Sequence, residues 1–585
     1  MKLLLTSVFG PFGVDDAYGR KENIMELFHN QVTREQGVFS LRINHQSAGL
    51  HMMAANTRVP AMVLDFPSRK RFRQEVKKGY DYIGISFIVP NFSKARKMAE
   101  IIRAESPRTK IILGGHGTSI ENIARLIPCD HVCRGEGVRF LRELFGEDVD
   151  APVTHPMLYS SFNKHIMGVP LNKDAGVIMT GVGCSNGCRF CCTTHYFQKK
   201  YTAFLKTGRE IYEVCERMER QLGVKDFFIM DENFLKSEDR ARELVAEMEK
   251  HGKSYSFNIF SSAEAVTRMG IDFLLRLGVS FLWMGAESKK DVYEKNIGID
   301  FPALVKELRD NGVSVLASGI LFLEHHDKES IYEDVDYLTG LNADLVQFMQ
   351  LGPLPGTKLF QDYEARGRLR TDIPYEEWHG QHQLWFTHPH FTGAESAAYL
   401  KQAFLRDFER NGPSVLRIMD TTLRGVRNTR QYQTGFMKLR HEEKAARAAY
   451  MRPMLKALRR HAPNDQARQL ARDLQDQYED FFGRLSLADR LKSRVVSALV
   501  LKEKLRSRLV YNNLRQPYTM ATPFRLVPEK STVLKWRQHI KYRLELYRHR
   551  LRWEAPFAPV NMVIGGLFNG ALLRVMASTM GRLLK

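Results

Sequence analysis

Short apolar runs alternate with longer amphipathic stretches through the first two thirds of the chain. The opening MKLLLTSVFG has one lysine and a brief apolar run, which predicts a first β-strand, not a secretory signal. From Arg58 onward, VPAMVLDF (59–66), DYIGISFIV (81–89), KIILGG (110–115) and HVCRGEG (131–137) read as strands. Helices are predicted between them over SRKRFRQEVKKG, Lys94–Ala104 and Ile120–Ile127, and again from Val138, with GLHMMAAN (49–56) ahead of the series. Such β/α alternation predicts a parallel sheet covered by helices on both faces. A further helix is predicted over Glu22–Gln31, inside an unusually long first connection.

The alternation returns after residue 170. Ala175–Thr180, KDFFIMDENF (225–234), SYSFNIFSS (254–262), FLWMGAES (281–288), SVLASGILFL (314–323) and LVQFMQLGPLPGTKLF (345–360) read as six strand segments. Helices over Arg209–Leu222, Ser237–Lys250, Ala265–Leu277, Phe301–Asn311 and Lys328–Thr339 separate them. Beyond residue 390 the strand pattern stops. Helix-length amphipathic segments follow at Ala394–Asn411, His441–His461, Ala467–Phe482, Leu487–Leu509 and Ser531–Trp553, and Pro559–Met580 closes the series with one charge, Arg574. The expected organisation is an α/β domain over 1–150, a linker over 151–170, a second α/β domain over 171–390 and a basic helical region over 391–585.

Composition narrows the picture. With 585 residues and 44% hydrophobic content the chain has ample material for real cores. Seven cysteines, an odd number mostly in one motif, argue against a disulfide framework and for a reducing, cytoplasmic compartment. No uninterrupted run of about 20 apolar residues predicts a membrane span. The net charge of +21 sits at one end: residues 401–585 carry 38 Lys and Arg against 15 Asp and Glu. A basic excess confined to one region, interleaved with Trp536, Tyr542, Tyr547 and Trp553, suits an anionic membrane surface, on the inner face, with peripheral contact. With no zinc-finger spacing and no RNP-like motif, nucleic acid ranks lower. The bland alternative is a solvated helical cap.

The chemistry concentrates in GCSNGCRFCCTTHYF (183–197), on the loop that leaves the strand at 175–180. Cys184, Cys188 and Cys191 stand at C-x3-C-x2-C, with Phe190 just before the last, and glycines at 183 and 187 let the loop curl so that three thiolates converge. Thiolates are soft ligands suited to an iron–sulfur cluster, and a cluster that normally takes four cysteines would keep one iron open. A structural zinc site would want two separated cysteine pairs. Cys192 is surplus and is read as a neighbour.

This motif resembles the signature of the radical S-adenosylmethionine (radical SAM) family. The resemblance implies a partial barrel of six β/α units, a 4Fe-4S cluster whose open iron chelates SAM, and an electron donor of flavodoxin or ferredoxin type. Cleavage of SAM would give a 5′-deoxyadenosyl radical. The strand ends carry further likenesses. Asp231, in Asp231-Glu232-Asn233-Phe234, resembles the acidic-aromatic motif near the SAM amino group. Glu287 and Ser288, in Gly285–Ser288, resemble the fourth-strand motif that accepts the ribose hydroxyls, as an acceptor-only carboxylate can. Gly319, in Gly319-Ile320, resembles the start of the fifth-strand motif that packs on adenine, Pro353–Thr357 resembles the sixth-strand turn, and Gln347 and Gln350 are expected to face the cavity. His325 and His326 read as loop residues.

Set before that motif, GISFIVPNFSKARKMAEIIRAESPRTKIILGGHGTS and CRGEG look like the cobalamin-binding domain of the B12-dependent radical SAM enzymes. Ser86, Phe87, Gly114, Gly115, His116, Gly117, Gly135, Glu136 and Gly137 fall where that domain meets its cofactor, at the C-terminal strand ends. The Asp-x-His-x-x-Gly motif that supplies a histidine to cobalt is absent, so a domain of the same shape without cobalamin stays open. The resemblance implies methylation of an unactivated carbon, and the basic tail points to a hydrophobic, lipid-like substrate. Cyclisation, C–C coupling or oxidation without methyl transfer, with or without B12, is the alternative. A non-catalytic iron–sulfur assembly protein is a second.

Overall fold

Five parallel strands, β1 (Leu3–Ser7), β2 (Ala61–Asp65), β3 (Tyr82–Ser86), β4 (Lys110–Gly114) and β5 (His131–Val132), lie in the order β2-β1-β3-β4-β5. The computed structural model describes residues 1–10, 15–16, 19–20, 31–159, 162–167, 169–170, 175–290, 293–509 and 519–526. Alternate side chains of β1 serve opposite faces, as a pleated strand requires. Leu3 and Leu5 pack with Leu50, Ala54 and Leu141 of helices Ala48–Ala55 and Gly137–Phe145. Leu4 packs with Phe72, Val76, Met98 and Ile102 of helices Arg69–Val76 and Phe92–Glu105. Gly84 sits at the centre of β3, where a Cβ would come within 2.7 Å of Leu5 Cδ2.

The second sheet is also parallel and runs in chain order: β6 (Gly176–Met179), β7 (Asp226–Met230), β8 (Ser256–Phe260), β9 (Val279–Glu287), β10 (Ser314–Leu321) and β11 (Leu345–Gln350). Outward residues such as Phe227, Ile229, Phe257 and Ile259 bury against the surrounding helices. Those helices begin on conventional caps: Thr207 and Glu210 form a capping box for Gly208–Leu222, and Thr392 and Glu395 another for Gly393–Asn411. The inner face carries an aromatic row, Phe228, Phe260 and Trp283, with ring centroids 5.4 and 4.9 Å apart. Val32, Leu41, Ile43 and Ile418 pack with Phe281, Trp283, Leu316 and Leu345, so side chains fill the lower lumen. Ligand space is thereby pushed to the C-terminal strand ends, the usual location in barrels.

Several expectations change in detail. The helix read over Ala265–Leu277 is two, Ala263–Met269 and Ile271–Leu277, broken at Gly270 with φ 76°. Ile120–Ile127 shrinks to a turn at His116–Ser119 and a short helix at Ile123–Leu126. The sixth segment stops as a strand at Gln350 and resumes as helix Lys358–Ala365. Gly412-Pro413 leads into an additional helix, Ser414–Thr429, which the amphipathic segments did not include, as proline at a helix entrance can. The segment at 441–461 divides around Pro453 into Gly435–Met451, a turn, and Leu455–Arg460.

The C-terminal region is helical through Leu509 but then adds a strand, β12 (Met520–Phe524), antiparallel to β2 at the edge of the first sheet. Met1–Phe524 form one compact unit. Most of Glu22–Gln31, and all of Ser531–Trp553 and Pro559–Met580, lie outside the described residues. Among the described residues no helix is long and apolar enough to cross a membrane.

Candidate functional site

The cysteine loop leaves β6 through Gly183, whose φ of 92° and close approach to the Lys200 carbonyl leave no room for a Cβ. Thr194, buried one turn later, ties the loop into a ring. Its hydroxyl donates to the Cys184 carbonyl at 2.6 Å and accepts from the Gly187 amide at 3.2 Å. The Cys191 amide donates to the Cys188 carbonyl at 3.1 Å, and the His195 ring lies 3.2 Å from that same carbonyl oxygen. Burial raises the thiol pKa of Cys184 and Cys188 and pushes Cys191 up to about 12, with neighbouring thiols adding to the effect at Cys184 and Cys191. Lys236 works the other way at Cys184, and Lys295 at Cys188. Three soft donors on one ring, with two ammonium groups to offset thiolate charge, fit a cluster that takes its ligands deprotonated.

The acidic residues divide their work in a way the motif did not reveal. Asp231 is buried, and its Oδ2 accepts from Thr180 Oγ1 at 2.6 Å, Tyr201 Oη at 2.7 Å and Arg240 Nη2 at 2.7 Å, while Oδ1 accepts from the Asn233 amide at 3.0 Å. Its acceptor capacity is committed inside the barrel. Glu232, one residue on, is the carboxylate whose charge acts on Cys184, Cys191 and Cys192. It is open to solvent along one side, yet desolvation and then the Asp231 charge raise its pKa.

Glu287 ends β9 at a bulge, where the pairing with β10 skips from Gly285–Ser318 to Glu287–Gly319. Its φ of 61° is a left-handed conformation that non-glycine residues seldom adopt. Such strain persists where surrounding contacts dictate it. Lys295, on the turn Glu294–Asn296, donates to Glu287 Oε1 at 2.5 Å. Burial disfavours the Lys295 charge, but Glu287, then Cys188 and Cys191, hold its pKa above the usual range. Asn296 Nδ2 ties that turn to the Gly285 and Ala286 carbonyls at 3.0 and 3.1 Å. Ser288, expected beside Glu287 at the ligand, instead serves the loop, accepting from the Lys290 amide and bonding Asp334. Asp334 also holds His326 Nε2 at 2.9 Å, while His326 Nδ1 accepts from the Leu323 amide.

A cavity of about 440 Å³ opens between the two sheets' C-terminal ends. Ile88, Val89, Pro90 and His116 form the wall from the first domain. Phe190, Cys192, Glu287, Gly319 and Gln347 contribute from the second, followed by Met349–Gly352, Trp378–Gly380 and Trp385. Phe190 meets Tyr293 edge to face at 4.9 Å. Gln347 donates to Gln31 Oε1 at 3.1 Å. The amide nitrogen of Gln350 donates to the His382 carbonyl, leaving its buried Oε1 unpartnered. The indoles of Trp378 and Trp385 stack 5.8 Å apart, and both N–H groups are spent on backbone carbonyls, so they present apolar faces. Glu377, His379 and His382 gather beside this wall with donor atoms within 4.8 Å of one another. Glu377 Oε2 and His382 Nδ1 are 2.5 Å apart, a hydrogen bond; two ligands of one tetrahedral zinc would stand about 3.3 Å apart.

On the first domain the glycine-rich loops interlock. Phe87 is core, and a Cβ on Gly117 would stand 2.2 Å from its ring. The Phe87 amide donates to the Gly114 carbonyl, and the Gly117 amide donates to the Phe87 carbonyl. Ser86 lies against Gly115, which has φ 85°. Glu136, expected at a cofactor, caps helix Gly137–Phe145 by accepting from Val138 and Arg139 amides. Gly137 makes room for Met53. Gly135, with φ 86°, faces open space, and His116 reaches the cavity with its ring 4.6 Å from Tyr196 of the cysteine loop. Burial lowers the His116 pKa to about 4, and its Nδ1 is unpartnered. The fit to a corrinoid rests on these last two features and on the shared cavity; Phe87, Glu136 and Gly137 support the fold. Thr194, Lys295, Trp378 and Trp385 were not legible as site residues, because nothing local marks them; Glu232 stood inside the quoted acidic-aromatic motif, but the motif alone did not separate it from Asp231.

Residues 51–145 match the family model for the B12 binding domain, and residues 178–338 match that for the radical SAM superfamily. An uncharacterized methyltransferase of Pyrococcus horikoshii is 22% identical over 379 residues, covering 57% of this chain and 80% of that protein. The anaerobic magnesium-protoporphyrin IX monomethyl ester cyclase of Rubrivivax gelatinosus is 22% identical over 326 residues, covering 48% of this chain and 58% of the cyclase. Among solved structures, the radical S-adenosylmethionine methyltransferase TsrM from Kitasatospora setae aligns over 77% of this chain and 99% of its own, at 15% identity and a TM-score of 0.48.

Proposed function

Starting from a chain that is a radical SAM enzyme with a B12-binding domain, we propose that it methylates an unactivated carbon of an uncharged, hydrophobic substrate. The two domains imply SAM, a 4Fe-4S cluster and cobalamin. Bound there, these groups supply a 5′-deoxyadenosyl radical and a transferable methyl group. Cys184, Cys188 and Cys191 would hold the cluster; Glu287, steadied by Lys295, would take the nucleoside hydroxyls. The protein's own contribution is placement and exclusion of water, which a hydrogen-abstracting radical needs more than acid–base help.

The single observation that carries this reading is the cavity itself. One wall belongs to the B12-type domain and the opposite wall to the cysteine loop and barrel strand ends, so a substrate carbon there can face both cofactors. Among the described residues its lining holds no Lys or Arg, and the two indoles, their N–H groups spent on backbone carbonyls, offer apolar faces to it. A phosphate- or carboxylate-rich substrate would find no cationic side chain on those described walls, whereas an apolar body with a donor for Gln350 Oε1 would find a partner. We further place the protein peripherally on an anionic membrane, with a flavodoxin- or ferredoxin-type electron donor.

The test is anaerobic incubation of reconstituted enzyme with a low-potential reductant, hydroxocobalamin and SAM carrying a deuterated methyl group, over a lipid extract of the source cells. Release of 5′-deoxyadenosine together with label in an extractable product supports the proposal. Deoxyadenosine with a product that carries no label would replace methylation with cyclisation, coupling or oxidation.

A further inference from the structure

We propose that helix Leu487–Leu509 seats the protein on an anionic lipid surface through an exposed leucine stripe; this deepens the membrane contact proposed above and rests on that reading for its biological purpose. Leu487, Leu491, Leu501 and Leu505 are 81%, 53%, 53% and 46% exposed. They are four of the ten large hydrophobic residues exposed among the described residues, and no other element holds so many. With Arg494 and Ala498 they recur in steps of four and three, which at 3.6 residues per turn keeps them on one face for about 27 Å. The opposite face is already satisfied: Val496 and Val500 lie in the core shared with Met419, Leu458 and Tyr478.

A purely solvated face is a poor account of this helix, because water-facing stripes in globular proteins are polar. Charge chooses the occupant. The helix carries seven Lys and Arg against two Asp and Glu, and Arg484, Arg490, Lys492 and Arg494 are exposed along or beside the stripe. Asp489 offsets only Lys492. A second copy of the helix would bring an equal positive charge and set Arg494 in the middle of the seam. Residues 527–585 carry eleven Lys and Arg against three Asp and Glu, the same sign again. Anionic phospholipid meets both features: leucines enter the acyl boundary while lysines and arginines remain with the headgroups. A substrate dissolved in that lipid would then be drawn from the surface on which the enzyme sits.

Flotation of the full-length protein with phosphatidylcholine vesicles, and with vesicles that also contain phosphatidylglycerol, tests this directly. Binding should require phosphatidylglycerol and fall with salt. L491E/L501E should reduce the bound fraction at least about tenfold, as losing two buried leucines predicts, and R490E/R494E should remove the preference for anionic vesicles. Glutamate at Leu222 or Leu470, exposed leucines on other helices, should change nothing. Circular dichroism and cluster absorbance of each variant must match the parent. Absence of binding by the parent, or undiminished binding by L491E/L501E, overturns the proposal; so does a dimer in light scattering that the same substitutions dissociate. Deoxyadenosine release without vesicles is measured alongside. Loss of vesicle binding with that release intact tests this surface alone, and vesicle binding without release would sink only the functional reading.

Discussion

Lys295 Nζ stands 2.5 Å from Glu287 Oε1, so the carboxylate at the strained end of β9 is charge-paired within the protein itself. The two residues come from a strand and an irregular turn, and burial makes each depend on the other. K295M leaves a buried carboxylate without its cation, a change that typically costs about 3–5 kcal/mol. We expect a lower unfolding midpoint in urea and weaker SAM retention in equilibrium dialysis. E287Q should weaken SAM retention with a smaller loss of stability.

Cluster assembly should depend on three thiols and tolerate loss of the fourth. C184A, C188A and C191A should each abolish the iron–sulfur absorbance after anaerobic reconstitution, while C192A keeps it. Because burial raises the thiol pKa values, reconstitution should be slower as pH falls below neutrality. A cluster that survives C191A would require a different ligand set.

Asp231 and Glu232 should separate cleanly. D231N removes the charge that Arg240 faces within the buried pair at 2.7 Å, and a destabilisation of about 3–5 kcal/mol is expected. E232Q should leave the urea midpoint nearly unchanged and act on deoxyadenosine formation instead. Equal stability of the two variants would contradict the division of roles.

Stability should fall as pH drops from 7.5 to 5. Burial lowers the pKa of His116 and of His155 to about 4, below the value near 6.5 that each has in the unfolded chain. In that window the unfolded chain binds more protons, so acid favours unfolding by about 2 kcal/mol per histidine at pH 5. His155 Nε2 accepts from the Met179 amide and so must stay neutral. Urea titrations of H155Q should show a shallower pH dependence than the parent, although from a lower starting stability.

The glycine loops give a prediction with a built-in contrast. G117A drives a methyl into the Phe87 ring and should destabilise the first domain by about 1–3 kcal/mol. G135A meets open space and pays only for its left-handed φ, near 1 kcal/mol. A corrinoid-binding defect in G135A, measured by retained cobalamin absorbance, would mark that open space as the cofactor's.

Alternating apolar runs and helical patterns specified both parallel sheets, because strand and helix periodicity are local properties of the chain. The C-x3-C-x2-C spacing was legible for the same reason: all three thiols lie on one loop. Tertiary structure alone decided which neighbours those elements meet. Asp231 and Glu232 are adjacent carboxylates in sequence, and only packing turns one toward Arg240 and brings the other within range of the thiols. Lys295 sits on an irregular turn, Trp378 and Trp385 follow the cysteines by more than 180 residues along the chain, and Met520–Phe524 pairs with a strand more than 450 residues earlier. Such pairings have no local periodic trace, since their free energy comes from burying surface between segments that are distant along the chain.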